Sequence, residues 1–192
     1  MAQRRTRLIV EIALTLALSA VLNMLALWKM PQGGTVSLGM LPLFVLALRR
    51  GLLPGLVAGV LYGPIDMFID PFPPVHWIQP ILDYPVAYLL VGLAGLAAPT
   101  LKRALDRSSR RTTILAVGLG IVLGAAGRYL AHLVSGIIFF SEYAPPGQPV
   151  WIYSALYNLY VPVSAVACLA AALVIVPALA RISPLSGHDG VA

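Results

Sequence analysis

Arg128 lies near the middle of an apolar run that begins Gly127-Arg-Tyr-Leu-Ala-His132 and continues to Phe139 and Phe140. A guanidinium at membrane depth costs roughly 3 kcal/mol or more unless it faces a polar cavity or a partner, so its position marks a candidate site. His132 follows four residues later on the same helical face, and Gly136 extends that face without a side chain, leaving space for a ligand. Asp83 is about two turns into the preceding apolar segment, where an unpaired carboxylate is expensive, which makes Arg128 its natural partner or near neighbour. Tyr84, Phe140, Tyr153 and Asn158 join this set, with Trp77 and Tyr157 as further candidates for the wall. A carboxylate, a guanidinium, an imidazole, an amide and several aromatic faces suit a flat heteroaromatic cation, since carboxylates and ring faces both attract positive charge. Structural uses compete with this reading: an interfacial aromatic belt for the Trp and Tyr residues, a helix bridge for His132, and a structural ion pair for Asp83 and Arg128.

These residues must be positioned by membrane helices. The chain has 192 residues, is 59% hydrophobic and only 10% charged, against about 25% charged residues in soluble domains. That length accommodates five or six spans of about 20 residues and no separate soluble catalytic or nucleotide-binding domain. A single transmembrane domain, 1–192, is expected, with a basic amino terminus at 1–7 and a flexible tail at 183–192. Hydropathy places six helices near 8–28, 38–50, 52–70, 77–98, 112–140 and 151–180. The second is short for a full span and requires shielding by its neighbours or little tilt. The first has the basic flank of a signal peptide, but its apolar stretch is too long and lacks a small-residue exit, so it reads as retained.

Lys and Arg set the orientation. Six spans place Arg4, Arg5, Arg7, Arg49, Arg50, Lys102, Arg103, Arg107, Arg110, Arg111 and Arg181 on one side and only Lys29 on the other, which predicts cytoplasmic termini. The formal charge of +6 is explained by this bias, so it gives no support to nucleic-acid binding. A basic inner face can also contact anionic lipid.

Gly51, Gly55, Gly59 and Gly63 form a stripe with a four-residue spacing that allows close helix approach. Gly120 and Gly124 provide a shorter version. Ala13 and Ala17 permit a further close contact, within the protein or with another subunit. The single cysteine, Cys168, reads as a small buried hydrophobe. Neither His-Glu-x-x-His nor Cys-x-x-Cys occurs, so no metal or other cofactor is expected. No Gly-x-x-x-x-Gly-Lys-Ser/Thr motif is present to hold phosphates.

Several segments together resemble the thiamine-specific substrate-binding component of energy-coupling factor vitamin transporters. They are Glu11-Ile-Ala-Leu, Leu38-Gly-Met-Leu-Pro42, Leu48-Arg-Arg-Gly-Leu52, Asp83-Tyr84, Gly127 to His132, Gly136-Ile-Ile-Phe-Phe-Ser-Glu-Tyr143 and Tyr153 to Asn158. The resemblance implies an all-α bundle of six transmembrane helices in a prokaryotic cell membrane and a thiamine site near the outer surface. It also implies coupling to a membrane scaffold subunit and two cytoplasmic ATPases, with no enzymatic activity in this chain. Asp83, Tyr84, Arg128, His132, Gly136, Phe140, Tyr153 and Asn158 would bind the ligand, and Ala13 and Ala17 would meet the scaffold. The family usually has Glu, Lys and Trp where this chain has Asp83, Arg128 and Phe140, and a further Trp near Gly33.

Two other readings remain: a component for a thiamine precursor or another small vitamin, and a metal-dependent phosphotransferase of the CDP-alcohol type. The second rests on Gly63-x-x-Asp66-x-x-x-Asp70, which lacks the upstream half of that pattern. Asp66 is alternatively a residue of the cavity, and Asp70, before Pro71, ends its helix.

Overall fold

The computed structural model describes residues 2–71 and 73–182, so the tail expected at 183–192 lies outside the described residues. Helix α1 (Ala2–Met24) leads through a two-stranded hairpin, β1 (Trp28–Lys29) and β2 (Thr35–Val36), to α2 (Leu41–Arg50) and α3 (Leu52–Ile69). A composite helix then covers Gln79–Asp106. It consists of α4 (Gln79–Ile81), a π turn at Leu82–Val86, α5 (Ala87–Val91), a 3-10 stretch at Gly92–Ala97 and α6 (Ala98–Asp106). Helix α7 (Arg110–Phe139) follows, then a short 3-10 turn at Ser141–Tyr143, α8 (Val150–Tyr157) and α9 (Tyr160–Ile182).

Five of these units are long and apolar enough to span a bilayer: α1, α3, the composite helix, α7 and the α8–α9 pair. The sixth expected helix is α2, whose 10 residues reach only about 15 Å at 1.5 Å per residue. Its neighbours shield it as required, and Leu43, Phe44, Ala47 and Leu48 are fully buried.

The burial pattern is that of a membrane protein. Helix α1 turns Thr15, Ser19 and Asn23 inward and exposes Leu14, Leu18 and Val21. An exposed apolar face opposite a buried polar stripe is stable only where lipid is the solvent.

The glycine stripe is used as predicted. A Cβ at Gly59 would lie 2.1 Å from the Tyr88 carbonyl oxygen, and one at Gly55 would lie 3.0 Å from that of Gly92. Helix α3 and the composite helix therefore pack backbone to backbone.

Three expected boundaries change. The first helix begins at Ala2 and stops at Met24, because the chain turns there into the hairpin. The fourth extends to Asp106 and is widened at Pro85, which has no N–H to donate to a regular ladder. The sixth is broken at Asn158 and Leu159, where the Asn158 side chain donates to the Ser154 carbonyl instead of pointing outward.

Candidate functional site

A cavity opens at the end of the bundle opposite the basic residues. It lies among the hairpin, the carboxyl end of α3, the start of the composite helix, the last turns of α7, and α8. All eight candidate ligand residues line it: Asp83, Tyr84, Arg128, His132, Gly136, Phe140, Tyr153 and Asn158. Tyr157 lines it too, whereas Trp77 does not.

The polar side of the cavity is a hydrogen-bonded run across two helices. Asp83 is held in the π turn, accepting from Gln79 Nε2 at 2.6 Å. His132 Nδ1 is 3.1 Å from Asp83 Oδ1, and Arg128 Nε donates to His132 Nε2 at 3.2 Å. A guanidinium has only donors, so Nε2 must be the acceptor and Nδ1 must carry the proton given to Asp83. The direct Asp83–Arg128 pair is therefore not formed: His132 stands between them. Among the described residues, no carboxylate lies within ion-pairing distance of Arg128. The guanidinium carbon is instead 4.2 Å from the centroid of the Tyr88 ring, whose face attracts a cation.

Behind this run lies a second buried polar cluster. Asp66 Oδ1 accepts from Asn23 Nδ2 at 2.6 Å and Tyr62 OH at 3.1 Å, and its Oδ2 accepts from Tyr88 OH at 2.8 Å. Asn23 Oδ1 in turn accepts from Thr35 Oγ1 at 2.8 Å and Ser37 Oγ at 2.6 Å. Asp66 reaches the cavity, the alternative role read for it from sequence. Asp70 also lines the cavity while pairing with Lys29 at 3.2 Å. The two aspartates weighed as a metal pair thus serve separate hydrogen-bonded arrangements, and the described residues contain no cluster of three or more acidic, His or Cys ligands.

The hairpin closes one side of the cavity. Residues Gln32 to Thr35 form part of its wall, and Tyr157 OH accepts from the Gln32 backbone N–H at 2.8 Å while donating to the Gly33 carbonyl at 3.0 Å. Gly34 has φ +96° and lies against Tyr160, where an added Cβ would be 2.6 Å from the ring. Glycine is required there both for the turn and for the contact.

Two sequence expectations need correction. A Cβ at Gly136 would be 2.1 Å from Ser154 Oγ, so the space left by this glycine is filled by α8. Ser154 donates to the Leu133 carbonyl at 2.9 Å from that position. Trp77 is 73% exposed beside His76, outside the cavity, whereas Gln79 two residues later turns inward. Trp28 on β1 is also exposed.

The hairpin residues and Ser154 were missed. Gly33-Gly34 is a turn signal available in the sequence, but the pairing of that turn with Tyr157 joins residues 124 apart and has no local signature.

A bundle with an apolar surface and a cavity of carboxylates, guanidinium and aromatic rings at one end defines a multi-pass membrane protein of the small-solute transport class. The chain matches the model of the thiamine transporter protein family over residues 9–184 and belongs to that family. It is 37% identical over 152 residues to the thiamine transporter ThiT of Bacillus subtilis (strain 168), covering 78% of this chain and 79% of the relative. ThiT of Lacticaseibacillus paracasei is 36% identical over 123 residues, covering 62% of this chain and 61% of the relative. The solved structure of ThiT from Listeria monocytogenes matches with a TM-score of 0.79 at 25% identity, covering 94% of this chain and 97% of that one. These relatives are named as transporters rather than enzymes.

Proposed function

We propose that the protein binds thiamine from outside the cell as the substrate-binding subunit of an energy-coupling factor importer. The observation that carries this reading is the Asp83–His132–Arg128 run set into a cavity walled by Tyr84, Phe140, Tyr153 and Tyr157. The cavity lining contains three carboxyl groups, Asp66, Asp70 and Asp83; with Asp70 paired to Lys29, two of them stand against the one guanidinium of Arg128. That balance favours a cationic ring over an anionic vitamin. Asp83 supplies the anionic acceptor, His132 and Arg128 hold it, and the aromatic residues enclose the ligand rings. The names of the relatives support thiamine as that ligand.

The positive-inside rule puts the basic helix ends in the cytoplasm and the cavity outside. Ala13 and Ala17 are both exposed on α1, in agreement with a scaffold subunit packing there. ATP hydrolysis then belongs to the partner subunits.

Calorimetric titration of the purified protein with thiamine tests the ligand. Saturable one-to-one binding is expected, and no heat across a broad concentration range, together with a different vitamin recovered by mass spectrometry, would reject thiamine. For the interface, Ala13→Trp should leave binding unchanged and abolish assembly with the scaffold and uptake. Loss of binding with assembly intact would place that helix face inside the protein.

A further inference from the structure

Gln79 opens α4 with only 3% of its surface exposed and lines the cavity. Its Nε2 donates to Asp83 Oδ2, and because a carboxylate can only accept, the amide carbonyl is turned away from Asp83. That Oε1 is buried without a hydrogen-bond partner. The Ser19 and Ser135 hydroxyls are also buried without a hydrogen-bond partner, but neither residue lines the cavity. An acceptor left open in a binding site and nowhere satisfied by the protein is suited to a donor that arrives with the ligand.

Gln79 and Asp83 are one helical turn apart and both line the cavity. A primary amine on an aromatic ring carries two N–H groups and can give one of them to Gln79 Oε1. A ring oxygen at the same place would set lone pair against lone pair. We propose that Gln79 contacts the ligand and reads an exocyclic aromatic amine, selecting it over an oxo group. This rests on the thiamine reading, in which the amine is that of the aminopyrimidine ring.

The test compares thiamine with the analogue carrying oxygen in place of the amine, titrated by calorimetry into wild-type protein and into Gln79→Met. Methionine keeps the length and removes both the acceptor and the amide donor. Wild-type protein should prefer thiamine by about 30-fold or more, the discrimination expected when a polar site is left unpaired by the wrong ligand. Gln79→Met should weaken thiamine by about 10-fold and the oxo analogue by less than about 2-fold. Equal losses for both ligands would show that Gln79 only holds Asp83, and would overturn the proposal. So would a wild-type protein that binds both ligands equally, a result that needs no variant to fold. Gln79→Leu provides a second variant if Gln79→Met is not recovered as a monodisperse species. Wild-type protein that binds no thiamine at all rejects the thiamine reading itself, which separates the two failures.

Discussion

The composite helix behaves differently at its two ends. In its middle, Gly92 and Gly95 face α3 so closely that an added Cβ would be 2.4 Å from the Gly55 and Gly51 carbonyl carbons. At the cavity end the same helix widens into a π turn that carries Asp83, Tyr84 and Pro85. Gly63 accommodates this wider turn, with its missing Cβ 2.5 Å from the Pro85 backbone. Helices cannot be driven together in lipid by burying apolar surface, so close backbone contact supplies the rigidity. Polar groups are admitted only where the helix departs from regularity and neighbours can satisfy them.

The largest effects should follow from disturbing the packed half. Gly59→Ala forces a methyl group onto the Tyr88 carbonyl, a backbone group that cannot swing aside as a flexible side chain could. It should cost roughly 2 to 3 kcal/mol of stability, the upper range for overpacking. The comparison is Gly118→Ala on α7, where a Cβ meets nothing within 4 Å. That change should be neutral or stabilising by up to about 1 kcal/mol through helix propensity. Melting temperatures of the two variants in one detergent check the contrast, and similar values for both would remove the backbone contact from the account.

In the open half the same size of change should alter binding before stability. Asp83→Asn retains the shape but leaves a single acceptor where Gln79 and His132 each donate. Because Arg128 fixes the His132 tautomer, the new amide nitrogen must face one of those donors. A cationic ligand should lose a charge-assisted contact of roughly 1.5 to 3 kcal/mol, or about 10- to 150-fold in affinity. Asp83→Glu, with one more methylene, should retain most of the binding. Wild-type affinity in folded Asp83→Asn would reassign Asp83 to holding His132.

How far the two halves were legible in the sequence follows the same division. The glycine stripe at 51, 55, 59 and 63 is periodic, so its face and its use could be read directly. The cavity residues Arg128 and His132 were also visible, since a guanidinium in an apolar run and an imidazole one turn later are rare. Less visible was what connects them. That His132 separates Asp83 from Arg128 depends on the π turn, which rotates Asp83 in a way that regular helical spacing does not predict. Gly136 misled because an absent side chain reads as space, whereas Ser154 from another helix fills it. The Asn23–Asp66 bond, the hairpin and the break at Asn158 are all tertiary: each satisfies polar groups with partners far along the chain.

The smallest effect concerns the link between the hairpin and α8. Tyr157 OH holds both the Gln32 N–H and the Gly33 carbonyl, while the far side of the hairpin is tied by Thr35 and Ser37 to Asn23 and by Lys29 to Asp70. Tyr157→Phe leaves the ring in the cavity wall and removes only the hydroxyl. Gln32 and Gly33 are partly exposed, so water can take over their hydrogen bonds, and the net cost should be near the ordinary value of about 0.5 to 1.5 kcal/mol. If the closed hairpin is part of the bound state, that corresponds to roughly 2- to 10-fold weaker binding. The loss should appear mainly as faster dissociation, because the remaining ties on the α1 side still place the hairpin over the cavity. Stopped-flow displacement of bound thiamine measures it. An unchanged dissociation rate with weaker binding would assign Tyr157 to ligand contact, and no change in either would show that the ties to Asn23, Asp70 and Ser164 hold the hairpin without it.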